Sequence, residues 1–372
     1  MTDYIILILI GIAWAFQIFY WAFFMFRVRI RKIDIPDARP SVSVIVCAKN
    51  ESYNLRSNIP LLMEQKYPDA QIIVVDDCST DDTLLVLSEL RTRYPDLYYT
   101  SIPTDTKFTH GKKLAVSVGL KAAKHEKIVF IDADCKPASE HWLTALMEGY
   151  TTDKIQLVLG YGRYERCKGF LNFYIRFETF WNAVQYFGFA KAMKPFMGVG
   201  RNLSYTKSLY EQSSKFRHHI GILSGDDDLF VSEMGKRDNT SIVVKPESQT
   251  ISEAKHTWRD WFEQKTRHFK TSPLYPMSVK FMLGAELFTR LMMYVLPILA
   301  LYIFTNIYIL IGIGSIIISR WVVMHIALGI AHKRMGEKGL WWWTIPMDVI
   351  VPLIQSTVVI YSKISKRRDI WR

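Results

Sequence analysis
Asp132 and Asp134 stand one residue apart at the end of the apolar run Ile128-Val129-Phe130-Ile131, and Asp76 and Asp77 close the similar run Ile72-Ile73-Val74-Val75. Two carboxylates that close repel each other unless a cation neutralises them, and hard oxygen donors suit Mg²⁺ or Mn²⁺. Paired carboxylates with a divalent ion point to a phosphate-bearing substrate. A strand-to-loop turn with solvated acids has the same composition, so the pairs take their weight from the elements around them.

Those elements are strands and helices in alternation. A continuous Val/Ile run reads as a strand buried on both faces, as in parallel α/β sheets. Ligands of such sheets sit outside the carboxyl ends of the strands. Residues 42–47, the run ending at Asp77, residues 97–102 and the run ending at Asp132 give four strands. Between them lie amphipathic segments carrying Leu55, Ile59, Leu62 and Met63, then Leu84, Leu87 and Leu90, then Leu114, Ala115, Val118 and Ala122. Ser79 or Asp81 can cap the second. The fold class is therefore α/β, with a mostly parallel mixed sheet. No Gly-Lys-Ser/Thr loop and no GxGxxG follows the first strand, so neither a P-loop NTPase nor a dinucleotide-binding fold is supported. Residues 165–196 change character, mixing Phe170, Phe173, Phe177, Phe180, Trp181, Tyr186, Phe187 and Phe189 with Arg166, Lys168, Arg176 and Lys191. That pattern fits a helix lying at a membrane surface, or a buried aromatic helix.

At 372 residues and 49% hydrophobic, the chain can bury one large domain with apolar sequence to spare. Residues 4–26 carry no charge and are long enough to cross a bilayer. A signal peptide would have a basic start, a shorter apolar core and a small-residue cleavage site, so this reads as an uncleaved anchor. Arg27, Arg29, Arg31 and Lys32 follow it, which places that flank in the cytoplasm. Three more apolar blocks cover residues 285–304, 307–330 and 341–361. If all were spans, the basic tail with Lys363, Lys366, Arg367 and Arg368 would lie outside, so one is expected to be re-entrant or interfacial. The last is the choice, because Pro346 and Pro352 interrupt it. Glu286, Arg290, Arg320 and Asp348 fall within apolar stretches and are expected to face protein or a polar cavity. The expected domains are the N-terminal transmembrane helix at 1–27, a linker at 28–40, a cytoplasmic domain at 41–270 and a C-terminal membrane block at 271–372. The net charge of +12 clusters beside the apolar segments, which fits membrane lipids as partners. No RNA or DNA motif accompanies it, so nucleic acid is not expected. Cys47, Cys78, Cys135 and Cys167 are spaced for neither zinc nor disulfides and read as reduced, ordinary buried thiols.

Taken in order, Val46-Cys47-Ala48-Lys49-Asn50-Glu51, VVDDCSTDDT, HGKK and FIDADC closely resemble the family 2 glycosyltransferases, whose catalytic domain is the nucleotide-sugar-binding GT-A fold. The resemblance covers roughly residues 41–270, and its specificity lies in the ordered set. The membrane arrangement resembles the membrane-integrated branch of that family, which includes cellulose and hyaluronan synthases and ceramide glucosyltransferase. The resemblance implies roles by position. Ala48 and Glu51 border the base and ribose, Asp77 accepts a hydrogen bond from the base, and Asp76 has a structural role. Lys112 lies near the nucleotide, with a plain surface lysine as the alternative. Asp134 binds the metal bridging the diphosphate, and Asp132 contacts the nucleotide or the same ion.

Leu223-Ser224-Gly225-Asp226-Asp227-Asp228-Leu229 resembles the motif that supplies the general base. Aligned on Gly225 the base is Asp227, which is preferred; aligned on Leu229 it is Asp226. Gly198-Val199-Gly200-Arg201-Asn202 resembles the loop beside the donor sugar, where glycine permits close backbone approach. Gln264-Lys265-Thr266-Arg267-His268 matches Gln-x-x-Arg-Trp of the processive members, except that His268 replaces the tryptophan that holds a growing chain. Arg267 retains its fork of donors for a diphosphate, while Trp258 or Trp261 could serve as a neighbouring platform. The expectation is an inverting, metal-dependent transferase of the inner (plasma) membrane, with its catalytic domain cytoplasmic. Its cofactor is Mg²⁺ or Mn²⁺, its donor a UDP-sugar and its acceptor lipid-linked or saccharide. The rivals are a processive polysaccharide synthase, a nucleotidyltransferase, and a membrane scaffold or transporter with a degenerate domain.

Overall fold
The computed structural model describes residues 2–28, 39–104, 111–217, 222 and 225–364. Most of the expected linker, His110, Leu223, Ser224 and the basic tail from Ser365 onward lie outside the described residues. Among the described residues ten strands form two sheets: β1 (Val42–Ala48), β2 (Ala70–Asp77), β3 (Tyr98–Ile102), β4 (Lys127–Asp132), β5 (Cys135–Pro137), β6 (Leu157–Gly160), β7 (Gly162–Tyr164), β8 (Leu203–Thr206), β9 (Thr240–Val243) and β10 (Thr250–Ser252). The larger sheet has seven strands in the order β3-β2-β1-β4-β8-β6-β9, and only β8 runs against the rest. The smaller sheet orders β5-β10-β7. This is the mixed, parallel-dominated sheet expected, with β8 as the antiparallel insertion.

Successive side chains of a strand point to opposite faces, and here both faces are covered. Val42, Val44, Val46, Ile72 and Val74 pack in one apolar cluster, while Ile45, Ile73, Val75, Ile128 and Phe130 pack in another. That double burial is what selects uninterrupted Val/Ile runs. β1, β2 and β3 wind to one side and β4 starts the other, so the strand order reverses between β1 and β4. Cys47 pairs with Asp132 across that switch, and Ala48 pairs with Asp76. Open sheets bind ligands at such a place.

The helices follow their expected faces only in part. The helix Lys112–Ala122 buries Ala115 with Val116, Gly119 and Leu120, and leaves Leu114, Val118 and Ala122 partly covered. The helix Thr83–Arg93 buries Val86, Leu87 and Leu90 but leaves Leu84 exposed. Asp81, not Ser79, accepts the Thr83 N–H at 3.1 Å. The aromatic helix Phe170–Ala192 is buried in protein along most of its length, with only Phe170 strongly exposed among its aromatics. It is wedged between the sheet domain and the N-terminal helix Thr2–Phe23, with Trp181 edge-on to Trp21 at 5.3 Å and Phe189 stacked on Phe24 at 4.5 Å. The surface-lying alternative is therefore corrected: those rings find protein partners, which bury more of them than a headgroup layer can.

Among the described residues, four helices are long and apolar enough to cross a membrane: Tyr4–Val28, Met277–Ile303, Ile307–Met335 and Trp341–Tyr361. Their charges pair with one another. Arg320 donates to Asp348 at 2.5 and 3.1 Å and to Gln17 at 3.0 Å, and Arg290 donates to Glu286 at 3.1 Å. Asp348 also accepts from Tyr294. One network thus joins all four helices, as expected of charges in apolar surroundings. The prolines do not break the last segment, which runs as one helix, Thr344–Ile364, with Pro352 inside. Both of its ends touch helices of the sheet domain: Trp343 lies 5.6 Å from Phe173, and Tyr361 lies 5.7 Å from Phe262. Of the cysteines, all free, Cys47 and Cys135 are buried, but Cys167 is exposed and Cys78 only partly covered. The expectation of four buried thiols fails there because both sit on loops.

Candidate active site
β4 delivers Asp132, and the turn after it carries Asp134. The helix Lys112–Ala122, which packs on β1 and β2, presents Lys112 at its first residue. The Lys112 ammonium lies 2.6 Å from Asp132 Oδ1 and 3.3 Å from Asp226 Oδ2, so one cation bridges two acidic motifs from distant parts of the chain. Burial works against the Lys112 charge, but Asp132, Asp226 and Asp227 outweigh it and raise its pKa well above the ordinary value. The surface-lysine alternative is excluded by this geometry.

Asp227 caps the helix Asp228–Met234. Its Oδ1 accepts the Asp228 N–H and its Oδ2 the Gly200 N–H, both at 2.7 Å. The approach is close: a Cβ on Gly200 would lie 3.1 Å from Lys112 Nζ and 3.2 Å from Asp227 Oδ2. Burial, then the charges of Asp226 and Asp228, push the Asp227 carboxyl up to about 7. Asp228 turns away; its carboxylate accepts from Tyr275 at 2.7 Å and from Thr271. Gly225 opens this run with φ +93, a conformation glycine adopts without strain.

Asp132 and Asp134 differ although adjacent. Burial raises the Asp132 carboxyl, yet Lys112, with Arg201 and Arg267, holds it below the ordinary range. Asp134 is raised by burial and by Asp132. Oxygens of both and Cys135 Sγ lie within 4.8 Å of one another. The thiol donates to Asp134 at 3.2 Å and contacts Ser252 at 3.0 Å, and burial raises it well above its ordinary pKa. The donor set that remains is two hard carboxylates, which fits Mg²⁺ or Mn²⁺.

Glu51, Lys112, Asp132, Asp134, Asp226, Asp227, Gln264, Arg267 and His268 all line one cavity of about 1800 Å³. Ala48 and Asp77 do not; they end β1 and β2 with no exposed surface. Asp76 accepts from Ser101 at 2.8 Å and from the Ser79 N–H at 3.3 Å, tying β2 to β3 and its own turn. Glu51 accepts from Asn54 at 2.6 Å, and burial raises its pKa. The helix Trp258–Phe269 supplies Gln264, Arg267 and His268, whose i, i+3, i+4 spacing puts them on one face. His268 is exposed to the cavity. Partial desolvation and the charges of Lys265 and Arg267 lower its pKa. Trp261 is fully buried against Tyr174, and Trp258 packs on Phe170, Tyr174 and Phe262; neither lines the cavity.

Two features had no role assigned from sequence. Arg201 donates to the Gly162 carbonyl at 2.8 Å and stacks its guanidinium 4.7 Å from the Tyr164 ring, which places a fixed cation near Asp132. Lys265 pairs with the buried Glu178 at 2.5 Å, pinning the Gln264/Arg267 helix to the aromatic helix. The motif residues flanking both were visible, but nothing in their spacing announces the pairing.

Residues 43–212 match the profile described as Glycosyl transferase family 2. The chain carries a family 2 glycosyltransferase domain. The matched span runs from β1 through β8 and includes the Asp132/Asp134 turn. The chain is 33% identical over 109 residues to a beta-monoglucosyldiacylglycerol synthase of Nostoc sp. (strain PCC 7120 / SAG 25.82 / UTEX 2576), covering 29% of this chain and 23% of that one. It is 26% identical over 93 residues to a poly-beta-1,6-N-acetyl-D-glucosamine synthase of Staphylococcus epidermidis, covering 25% and 21%. The chain therefore spans less than a quarter of the length of these two curated relatives. The fold of the transferase domain and its helices is similar to a mannosyltransferase from Pyrobaculum calidifontis solved with GDP-Man and Mn²⁺. The TM-score is 0.57 at 17% identity, covering 94% of this chain and 99% of that one. The GT-A fold expected from the motifs is the fold found.

Proposed function
We propose that this transferase moves a single sugar from a nucleotide-sugar, a UDP-sugar by resemblance, to a lipid-linked or saccharide acceptor at the cytoplasmic face of the inner (plasma) membrane. The observation that carries the reading is Asp227, a carboxyl poised near neutrality in the same cavity as the Asp132/Asp134 pair, with Lys112 joining its run to Asp132 through Asp226. A general base works best with a pKa near the operating pH. Asp226 instead turns its carboxylate to Lys112, 3.3 Å away.

In this reading Asp134 and Asp132 hold a divalent ion, which when bound neutralises charge on the departing diphosphate. Lys112 and Arg267 direct their donors at the same diphosphate, and these fixed charges need no reorganisation as the reaction proceeds. Glu51 borders the nucleotide, and the Gly200 N–H fixes the orientation of Asp227. Asp227 then takes the proton from the acceptor hydroxyl as its oxygen attacks the anomeric carbon. A single displacement of this kind inverts the anomeric centre. His268 offers a saccharide less flat area than an indole, and no tryptophan of its helix faces the cavity, which supports single transfer over polymerisation. The lipid-glycosylating relative supports a lipid acceptor.

The same reading places three spans across the bilayer and the helix Thr344–Ile364 on its cytoplasmic side, dipping in far enough for Asp348 to meet Arg320. A 21-residue helix is about 32 Å long at 1.5 Å per residue. A transmembrane course would carry one end far from the sheet domain, whereas both ends touch it. The tail then lies in the cytoplasm, consistent with its basic residues. Protection of a C-terminal epitope from protease in right-side-out vesicles checks this; cleavage there contradicts it.

The function is tested by supplying native membranes with a panel of radiolabelled nucleotide-sugars and sorting the product by organic extraction and size. A product one sugar longer than its acceptor is expected. A high-molecular-weight polymer digestible by a specific glycanase would establish the processive alternative instead.

A further inference from the structure
The cavity does not end at the acidic cluster. Past Trp181 it continues between the helices Met277–Ile303 and Thr344–Ile364, where Leu283, Leu287 and Tyr361 line it. Its volume of about 1800 Å³ exceeds the roughly 300–1,000 Å³ usual for one small-molecule site, so there is room for a second substrate beside a nucleotide-sugar.

Two charged side chains face this arm, Glu286 and Arg290, each 2% exposed. Arg290 Nη2 donates to Glu286 Oε2 at 3.1 Å, and Nη1 lies 3.6 Å from Asp348 Oδ1. Among the described residues, Arg290 Nε and Glu286 Oε1 make no hydrogen bond. Buried charged groups are rarely left so, because water no longer satisfies them. A donor and an acceptor side by side match a hydroxyl, which is both. They do not match a phosphate, which only accepts and would be repelled by Glu286 here and by Asp226, Asp227 and Asp228 at the other end.

The distance between the two ends narrows the ligand further. Tyr275 bonds to Asp228 at the acidic run, and the helix from Met277 carries Glu286 about 14 Å along its axis at 1.5 Å per residue. That offset along the helix favours an acceptor longer than a bare glycerol, whose hydroxyl beside Glu286 is not itself the one presented to Asp227. A head that already carries sugar is longer.

We propose that this arm binds the acceptor as an uncharged glycolipid that enters sideways between the two helices. Its lipid-proximal hydroxyls meet Glu286 and Arg290, its chains lie along Leu283, Leu287 and Tyr361, and its distal sugar reaches Asp227. The distal hydroxyl oxygen forms the bond to the anomeric carbon and its proton passes to Asp227. The bond from that carbon to the diphosphate oxygen breaks, and its electron pair leaves with the nucleoside diphosphate. The enzyme thus extends the product of an earlier glycosyl transfer. This inference rests on the glycosyl-transfer reading above.

The test uses full-length protein in vesicles that each carry one acceptor: dioleoylglycerol, its monoglucosyl or diglucosyl derivative, or undecaprenyl phosphate, with free cellobiose as a soluble arm. Radiolabelled UDP-sugars are the donors, and donor binding is measured separately. Labelled glycosyl dioleoylglycerol is expected from the two glucosylated lipids. Glu286→Gln and Leu287→Trp, the second of which narrows the arm without touching the ion network, should each raise the glycolipid KM about tenfold. The donor KM should rise far less. Transfer only to undecaprenyl phosphate, to dioleoylglycerol or to cellobiose overturns the inference and leaves glycosyl transfer standing. Equal effects of the variants on both KM values also overturn it. Failure to bind or turn over any donor overturns the functional reading itself, and this inference with it.

Discussion
Two clusters of buried charge sit at the two ends of the cavity, and they are built on opposite terms. In the membrane block, Arg290 and Arg320 face Glu286 and Asp348, so each acid has an arginine. At the carboxyl ends of the strands, Lys112 is shared by Asp132 and Asp226, while among the described residues the hydrogen bonds to Asp227 come from backbone N–H groups. A balanced buried network repays its desolvation only while complete, and removing one partner is severe. An acid-rich cluster instead raises the pKa of its members and gives a cation or a proton somewhere to go. The first arrangement holds helices together, through Arg320 and Asp348 above all, while Glu286 and Arg290 keep atoms unpaired at the cavity; the second is suited to chemistry.

The comparison is broken most forcefully in the membrane block. Arg320→Met leaves Asp348 and Gln17 facing a methionine, and loss of one partner of a buried pair costs about 3–5 kcal/mol. Thermal unfolding in detergent should show a large drop in Tm, while turnover by the protein that remains folded stays near wild type. Lost turnover at unaltered Tm would show that the network serves the chemistry and not the packing.

At the acidic end the order reverses, with activity lost and folding kept. Asp134→Ala removes one of the two carboxylates fitted to the ion, and losing one such electrostatic group costs about 10²–10³-fold in turnover. Nucleotide release by the wild type should require a divalent cation and disappear in the variant. Undiminished turnover in excess chelator would refute the metal assignment.

Much of this contrast is legible in the sequence, and the illegible part has physical causes. The strands bearing Asp76, Asp77 and Asp132 announce themselves because double burial demands uninterrupted Val/Ile runs. The strands Cys135–Pro137, Gly162–Tyr164 and Thr250–Ser252 do not, because three residues carry no periodicity and their pairing is set by distant neighbours. Glu286, Arg290, Arg320 and Asp348 stand out as charges in apolar runs, which shows that each needs a partner without saying which. Ala48 and Asp77 occupy the expected strand ends, but only coordinates reveal that the cavity passes them by. Arg201 lies in the loop at 198–202, whose resemblance places it beside the donor sugar without saying where the guanidinium points, so its fixed position near Asp132 emerges only from the fold.

Asp227→Asn sharpens the assignment within the acidic cluster. The amide oxygen still accepts the Gly200 N–H, so nucleotide binding should persist. Transfer should fall about 10²-fold or more, the range of a lost general base. Asp226→Asn should be milder, since it removes a partner of Lys112 but not the proton acceptor. The reverse ranking in steady-state assays would make Asp226 the base.

The smallest effect expected is a pH dependence, and it separates the two ends without a new side chain. Asp227 is faced by Asp226 and Asp228 on its own run and by Lys112 and the Gly200 N–H from neighbouring elements, and its carboxyl sits at about 7. A base must be unprotonated, so transfer should be full above neutrality and fall about tenfold per pH unit below it. The same shift has a folding signature of definite sign. The folded pKa is raised above the unfolded value of about 4, so proton binding stabilises the fold below pH 4 and that contribution is lost as pH rises through about 7. Asparagine carries no charge at any pH. Asp227→Asn should therefore raise Tm more at pH 8 than at pH 5, in the variant that has lost activity. A Tm difference that is flat with pH, alongside a transfer rate that is flat from pH 6 to 8, would return Asp227 to an ordinary helix cap and leave the proton acceptor to be sought at Asp226.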